Sequence, residues 1–190
     1  IRRFIHISTM AVSADRDDYY AASKREAERI VQESTLDWTI IRPGAIYGVN
    51  DWWISYLNLM KKKKIVTVVG DGEQYLHQIY VKDCAHAIVM TLLNATTKYK
   101  IYYAASAPIT YNYYLSILRN SLQANFMVVY IPRWIGRSYA ALMKYVFRSP
   151  KPEYSDDPHK DLAIGSAHRI EGRVRTLDSV LAEILSKVIS

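Results

Sequence analysis

Short apolar runs alternate along this chain with longer stretches in which apolar residues recur at helical spacing. The runs predict buried strands at Ile1–Thr9, Trp38–Ile41, Ile65–Val69, Gln78–Val81, Lys100–Ala104 and Phe126–Ile131. The helical stretches are Tyr20–Glu33, 52–64, the segment opened by Asp83, 110–123, 133–147 and 176–189. Strands that alternate with helices are typical of a parallel sheet covered by helices, so the pattern predicts an α/β fold.

Composition narrows the class of protein. The 190 residues are 50% hydrophobic and 23% charged, which excludes a disordered chain, and no apolar run approaches the ~18 residues of a membrane span. Cys84, the single cysteine, cannot form an internal disulfide, so we expect a reducing compartment and a cytoplasmic location. The net charge of +7 favours anionic partners such as nucleotide cofactors, nucleic acid or an acidic membrane surface.

The most informative stretch contains Tyr20 and Lys24, which lie four residues apart on a predicted helix and so share one face. A nearby ammonium stabilises a phenolate, and such a tyrosine can act as a general acid or base. A hydroxyl at the end of the preceding strand, Thr9 or Ser8, could polarise a substrate carbonyl. With 16 tyrosines in the chain, chance pairs with lysine are expected, so the motif depends on its surroundings.

Those surroundings follow a recognisable order of motifs. After the strand come Ser8-Thr9, Tyr20-x-x-x-Lys24, Arg42-Pro43-Gly44-x-x-Tyr47-Gly48, Gly70-Asp71-Gly72 and Tyr80-Val81-x-Asp83. This order resembles the extended short-chain dehydrogenase/reductase family, the NAD-dependent epimerase/dehydratase group, from residue 1 to about 125. The resemblance implies a partial Rossmann-like, doubly wound parallel sheet, made of the later strands, with a smaller C-terminal substrate-binding α/β part. It implies that residues 1–110 complete the dinucleotide-binding domain, interleaved with substrate-domain segments around 45–75, and that 111–190 form the substrate-binding part.

The resemblance also implies roles for matching residues. Tyr20 would be the catalytic acid/base, Lys24 would activate it and bind the nicotinamide ribose of NAD or NADP, and Thr9, with Ser8 as the alternative, would hold the substrate oxygen. The remaining cofactor contacts would come from a segment after the second strand, made of Arg42, Pro43, Gly44 and Ala45. Asp83 would cap the helix that follows the Tyr80-Val81 strand.

The chain departs from the family in its glycines. None of the seven forms the Gly-rich turn that binds a cofactor pyrophosphate at a helix N-terminus. By the resemblance, residue 1 falls at the fifth strand, so we expect a C-terminal portion of a longer protein lacking on the order of a hundred residues. Such a portion would hold the chemical side of the site but not its adenine side, and we expect it to be inactive alone.

Four residues bear on the substrate. Leu76 occupies the position where nucleotide-sugar enzymes of this group commonly carry an arginine, and a leucine cannot neutralise a diphosphate. Trp52 and Trp53 follow the turn that contains Tyr47, where the family's substrate pocket begins. Aromatic residues there suit a small carbonyl or carbinol substrate, although they could equally pack a core.

Other features leave alternatives open. Residues 133–148 combine apolar and basic side chains, which would suit a peripheral membrane contact or a protein partner, but a packed substrate-domain helix is the favoured interpretation. The five histidines show no metal-ligand spacing and no nucleic-acid motif is present, so we expect neither partner. A homodimer is left open.

The sequence therefore predicts an NAD(P)-dependent oxidoreductase, epimerase or dehydratase that works by hydride transfer. The competing hypothesis is a non-catalytic member of the superfamily that binds a nucleotide, a protein or a membrane.

Overall fold

The computed structural model describes residues 3–13, 19–48, 62, 64–121, 123–136, 138, 168–169 and 180. The chain divides into two compact units. Unit 1 consists of residues 1–49, 77–108 and 160–190, and unit 2 of residues 50–76 and 109–159. The functional division predicted from the sequence stays a prediction.

The described elements alternate between strands and helices. The strands are β1 Arg3–Ile7, β2 Asp37–Pro43, β3 Ala45–Tyr47, β4 Ile65–Val69, β5 Tyr75–Leu76, β6 Gln78–Tyr80, β7 Lys100–Ala104, β8 Ile109–Thr110, β9 Met127–Ile131 and β10 His168–Arg169. The α-helices are α1 Tyr19–Glu33, α2 Val81–Leu93 and α3 Tyr111–Ser121, and short 3₁₀ helices span Met10–Ser13 and Ala95–Thr97. Residues 133–136 are also helical.

Unit 1 contains a parallel sheet in the order β1-β2-β7-β10. A second parallel pair joins β3 to β6. The predicted α/β fold with parallel strands is confirmed.

The core of unit 1 lies against one face of this sheet. Buried Ile41, Ile79, Cys84 and Ala104 form its centre, and Ile5, Ile7 and Ile88 pack against them. Because side chains alternate along a strand, His6 and Ser8 lie on the opposite face from Ile5 and Ile7. The opposite face receives α1, whose Glu28 bonds to Arg42 of β2.

Unit 2 pairs β4 with β9 in parallel and β5 with β8 in antiparallel orientation. Gly72 has a positive φ of 77°, and a Cβ atom there would lie 2.0 Å from Oδ1 of Asn112 in α3. The backbone N–H of Asn112 donates to the Gly72 carbonyl at 2.9 Å, and the Asn112 amide donates to the Asp71 carbonyl at 2.9 Å. The Gly-Asp-Gly turn is thus closed by the first residues of α3.

Several element boundaries differ from the sequence predictions. Helix α2 begins at Val81, so that residue leaves the predicted strand, and Tyr80 is the N-cap residue without a side-chain capping bond. The prediction that Asp83 caps this helix is therefore wrong. Asp83 lies within the first turn, where its negative charge is favourable to the helix dipole.

Parts of other predicted elements lie outside the described residues. These are most of the helix predicted at 52–64, together with 139–147 and the C-terminal helix at 176–189 apart from Val180, which is buried.

Candidate functional site

The parallel strands β1, β2 and β7 end side by side in unit 1. The Ser8 N–H donates to the Ile41 carbonyl at 2.8 Å, and the Gly44 N–H donates to the Ala104 carbonyl at 3.0 Å. These bonds continue the strand pairing just past the strand ends. The carboxyl edge of a parallel sheet is where α/β proteins bind ligands, so this edge is the candidate binding region.

Two hydroxyls follow β1, and the structure distinguishes them. Thr9 Oγ1 accepts a hydrogen bond of 3.3 Å from the Ala11 N–H and so supports the 3₁₀ helix at Met10–Ser13. Ser8 is 5% exposed, and its Oγ has no hydrogen-bond partner among the described residues. Buried hydroxyls are rarely left unpaired, so the unpaired Ser8 Oγ is a candidate contact for a molecule bound at this edge.

Helix α1 carries both Tyr20 and Lys24. The helix packs through Ala21 and Glu28, which are 0% and 2% exposed, while the Tyr20 side chain is about half exposed. The Lys24 side chain is partly buried, with an exposure of intermediate class. Their four-residue separation on a continuous helix places Tyr20 and Lys24 on one face, as the sequence predicts.

His6 connects α1 to the sheet electrostatically. Burial lowers the pKa of His6, the positive charge of Lys24 lowers it further, and the negative charge of Glu28 opposes both. The His6 Nε2 atom is buried and has no hydrogen-bond partner within the described part of the chain. Both Lys24 and Glu28 therefore act on the sheet face that carries His6 and Ser8.

Arg42 forms the most extensive polar contacts of this site. Its Nε and Nη2 donate to the two oxygens of Glu28 at 2.9 and 2.6 Å, and its Nη1 donates to Ser13 Oγ and Tyr103 Oη at 3.1 Å each. The Ser13 and Tyr103 hydroxyls also bond to each other. Burial lowers the pKa of Arg42, but the bonds and charge of Glu28, with help from Tyr103, outweigh it and raise the pKa overall.

The rest of the predicted cofactor segment forms a tight backbone junction. Pro43 is buried and Ala45 is exposed, and the Ala45 N–H donates to the His77 carbonyl at 2.8 Å. A Cβ atom at Gly44 would lie 2.4 Å from that same carbonyl oxygen, so glycine is required by the close approach. Because protein groups hold the Arg42 side chain, any contact of this segment with a cofactor would come from its backbone or from Ala45. The cofactor-binding role of the segment stays a prediction.

The predicted substrate residues are spread more widely. Tyr47 is buried in unit 1, with its ring 5.8 Å from that of Tyr80, whereas half-buried Leu76 belongs to β5 of unit 2. Trp52 and Trp53 lie outside the described residues. Their roles stay predictions.

Sequence reasoning missed the polar groups that join α1 and the loop after β1 to the sheet. Glu28 lies four residues after Lys24 and so continues the same helix face. This spacing is a signal in the sequence, but no role was predicted for Glu28 from it. Ser13, Tyr103 and His6 carry no comparable signal, because only the pairing of strands brings them together.

The donor set fits the nicotinamide end of a dinucleotide. An unpaired buried hydroxyl at Ser8 and the Lys24 ammonium lie by the carboxyl edge of a parallel sheet, where amide and ribose oxygens need donors. Within the described part of the chain, no cluster of three or more metal-ligating side chains occurs. No helix in that part has the length and apolar character that crossing a membrane requires.

The fold and site define a class: an α/β protein with a dinucleotide-binding type of sheet. The family model described as NAD(P)H-binding matches residues 1–95, half of the chain, and the chain belongs to this family. The predicted NAD(P)-binding family, with NAD or NADP as cofactor, is confirmed by this family model. Solved structures of nucleotide-sugar epimerases confirm the predicted fold.

Solved structures show the same fold. The chain is similar to the UDP-glucose 4-epimerase of Thermotoga maritima with a TM-score of 0.65 and 16% identity, covering 100% of this chain and 65% of that one. It is similar to the NAD complex of the Thermus thermophilus UDP-glucose 4-epimerase with a TM-score of 0.57 and 21% identity, covering 70% and 52%.

The chain is also similar to a protein that is named as a subunit of a larger assembly. The chain is 23% identical over 119 residues to the mitochondrial NADH dehydrogenase (ubiquinone) 1 alpha subcomplex subunit 9 of Dictyostelium discoideum, a match that covers 62% of this chain and 33% of the relative. The chain spans a third or less of the length of the curated relatives it matches.

Proposed function

We propose that the carboxyl edge of β1, β2 and β7 is the acid/base side of an NAD(P)-dependent hydride-transfer site. The observation that carries this proposal is the placement of Tyr20 and Lys24 on one face of α1, a helix held to β2 by the buried Glu28. The strand end beside it carries the unpaired buried hydroxyl of Ser8 and the hydroxyl of Thr9. A proton donor, a cation and a polarising hydroxyl are what the interconversion of a carbonyl and a carbinol requires.

The residues divide the work between proton transfer and binding. When bound, the cofactor supplies or accepts the hydride. Tyr20 gives its phenolic proton to the substrate oxygen in reduction, or takes the carbinol proton in oxidation. Lys24 stabilises the phenolate form and donates a hydrogen bond to the cofactor ribose, and Thr9 or Ser8 donates to the substrate oxygen.

We infer a small carbonyl or carbinol substrate in preference to a nucleoside-diphosphate sugar. Leu76 lies in β5, and its half-buried aliphatic side chain offers no donor or charge to a diphosphate. Tyr47, Trp52 and Trp53 would contribute apolar surface for such a substrate.

A second candidate function is a non-catalytic subunit of a larger assembly. One observation favours it: α2 presents a run of exposed apolar side chains along its outer side, between 44% and 76% exposed, made of Val81, Val89, Met90, Leu92 and Leu93. Exposed apolar side chains that cluster on one side of a helix often mark a protein interface. Curated relatives of the chain are named as subunits of mitochondrial NADH dehydrogenase (ubiquinone), which agrees with a partner-binding role.

The two functions are separated by a turnover assay on the full natural protein. NADH and NADPH oxidation is followed with a panel of ketones, aldehydes and sugar nucleotides, and the native mass of the protein is measured in parallel. The hydride-transfer proposal predicts oxidation with a carbonyl compound and none with UDP-glucose. The subunit role predicts that the protein binds NADH but that no member of the panel oxidises it. It also predicts a native particle much larger than one chain, which the Val89→Asp substitution dissociates. These results together would establish the subunit role instead.

A further inference from the structure

Arg42 joins four separate segments of unit 1 through one guanidinium group. Its three nitrogens reach Glu28 in α1, Ser13 in the 3₁₀ helix after β1, and Tyr103 in β7, while Arg42 itself belongs to β2. The side chain is 16% exposed and that of Glu28 is 3% exposed. These are directed bonds shielded from solvent, so they fix the positions of the groups that they join.

Two of these segments carry the proposed chemistry. On α1, Glu28 lies one turn beyond Lys24 and two turns beyond Tyr20, roughly 6 and 12 Å along the helix axis. In the loop after β1, Ser13 ends the 3₁₀ helix that Thr9 Oγ1 supports. Any movement of Glu28 along the sheet would be passed through the rigid helix to Lys24 and Tyr20, and any movement of Ser13 would reach Thr9.

We propose that Arg42 is a positioning residue, which sets the distance between the helix that carries Tyr20 and Lys24 and the loop that carries Ser8 and Thr9. This inference rests on the proposed function for its catalytic consequence, but its geometric content is independent of it. It leaves open the expectation from the sequence that the backbone of the segment Arg42–Ala45 lies against the cofactor. A planar guanidinium can bind a carboxylate with two parallel bonds and still reach two hydroxyls, which a lysine ammonium cannot do with the same geometry.

The test follows the surroundings of the Tyr20 ring by ¹⁹F NMR. The full protein is labelled with 3-fluorotyrosine, and the ¹⁹F resonance of Tyr20 is assigned by its absence in Tyr20→Phe. We expect Arg42→Lys to displace or broaden this resonance in the folded protein. The matched control is Arg29→Lys on the same helix, because Arg29 bonds Glu26 and Glu33 on the exposed side, and we expect it to leave the resonance unchanged.

A second variant guards against simple unfolding of Arg42→Lys. Tyr103→Phe removes one hydroxyl partner of Arg42 while keeping the ring, and we expect a smaller displacement of the same resonance. If folded Arg42→Lys and Tyr103→Phe both leave the Tyr20 resonance unchanged, Arg42 does not position the helix and the inference is overturned.

Activity gives the second readout. Misplacing a catalytic group by about 1 Å costs roughly 10²-fold in rate, so Arg42→Lys should lower kcat by about that factor while NADH affinity changes little. A rise in the Kd for NADH of similar size at constant kcat would instead indicate that the Arg42 side chain contacts the cofactor, and would contradict the positioning role. If Tyr20→Phe keeps full turnover, the proposed function fails, and the ¹⁹F shifts still decide the positioning role.

Discussion

The carboxylate of Glu28 is buried and receives two hydrogen bonds from Arg42, whereas Glu33 on the same helix pairs with Arg29 in solvent. Two glutamates of one helix thus form the same kind of ion pair in opposite environments, Glu28 with an arginine of β2 and Glu33 with an arginine of its own helix. Removing one partner from a buried pair leaves an uncompensated charge, while an exposed pair contributes little because water replaces it.

We therefore predict a large difference between two identical substitutions. Glu28→Gln should lower the free energy of unfolding by about 3–5 kcal/mol, as loss of a buried partner does. Glu33→Gln should lower it far less, because water replaces the exposed pair with Arg29. Urea unfolding of the full protein measures both. Similar losses for the two variants would show that Glu28 is solvated and that its bonds to Arg42 are not maintained.

The second prediction concerns pH. Because burial and Lys24 hold the pKa of His6 below its ordinary 6.5, the unfolded chain binds a proton at this site more readily than the folded one. The stability that neutral His6 preserves is complete above pH 6.5 and is lost as the pH falls from there through the lowered pKa of the folded state.

Unfolding measured at about pH 8 and about pH 5.5 checks this pH dependence. We expect the wild-type protein to lose more stability than His6→Gln over that interval, because glutamine does not titrate. Lys24→Met should move the His6 titration upward, since one cause of the lowered pKa is removed, and the Cε1 proton resonance reports it. Equal losses for wild type and His6→Gln would contradict the assignment.

The third prediction compares two glycines around β3. A Cβ atom at Gly44 would lie 2.4 Å from the backbone oxygen of His77, while one at Gly48 would lie 2.7 Å from the end of the Val81 side chain. A side chain can rotate away and a paired backbone cannot, so Gly44→Ala should destabilise unit 1 far more than Gly48→Ala. Thermal unfolding of the two variants measures this, and a milder effect at Gly44 would mean that the backbone junction is loose.

The fourth prediction distinguishes a specific hydrogen bond from Lys24 to the cofactor from general attraction by positive charge on α1. Loss of a hydrogen bond to a charged group costs about 1.5–3 kcal/mol, which corresponds to roughly a 10- to 100-fold rise in Kd. Lys24→Met in the full protein should therefore weaken NADH binding by that factor, and Arg25→Met, which removes the neighbouring charge, should change it much less. NADH fluorescence titration gives both values. If both variants weakened NADH binding equally, Lys24 would act through its positive charge alone and not through a specific hydrogen bond.

The sequence was most informative where a segment determines its own structure. Strands Ile65–Val69 and Lys100–Ala104 have the predicted bounds, because β-branched and aromatic runs are flanked by glycine or polar residues. Helix α1 begins one residue before the predicted start. The pairing of Tyr20 with Lys24 follows from helix geometry alone.

What could not be predicted depends on the packing of distant segments. The bond between Glu28 and Arg42 requires the position of α1 against β2, and the contact with Tyr103 requires β7 to be the next strand. The cap at Asp83 was predicted wrongly because Tyr80 ends its strand and begins α2 without an intervening turn. The difference between Thr9 and Ser8 likewise appears only when the 3₁₀ helix after β1 is in place.

The central claim is that Tyr20 transfers the proton in an NAD(P)-dependent reaction. The measurement that tests it most directly is the rate of NAD(P)H oxidation by the full protein and its Tyr20→Phe variant, with Tyr19→Phe as the control. Tyr19 is the adjacent tyrosine and is 94% exposed, so its hydroxyl has no place in the site. We predict that Tyr20→Phe lowers kcat by roughly 10²- to 10⁴-fold with NADH affinity nearly unchanged, and that Tyr19→Phe behaves as wild type. A Tyr20→Phe variant that turns over at the wild-type rate would contradict the claim.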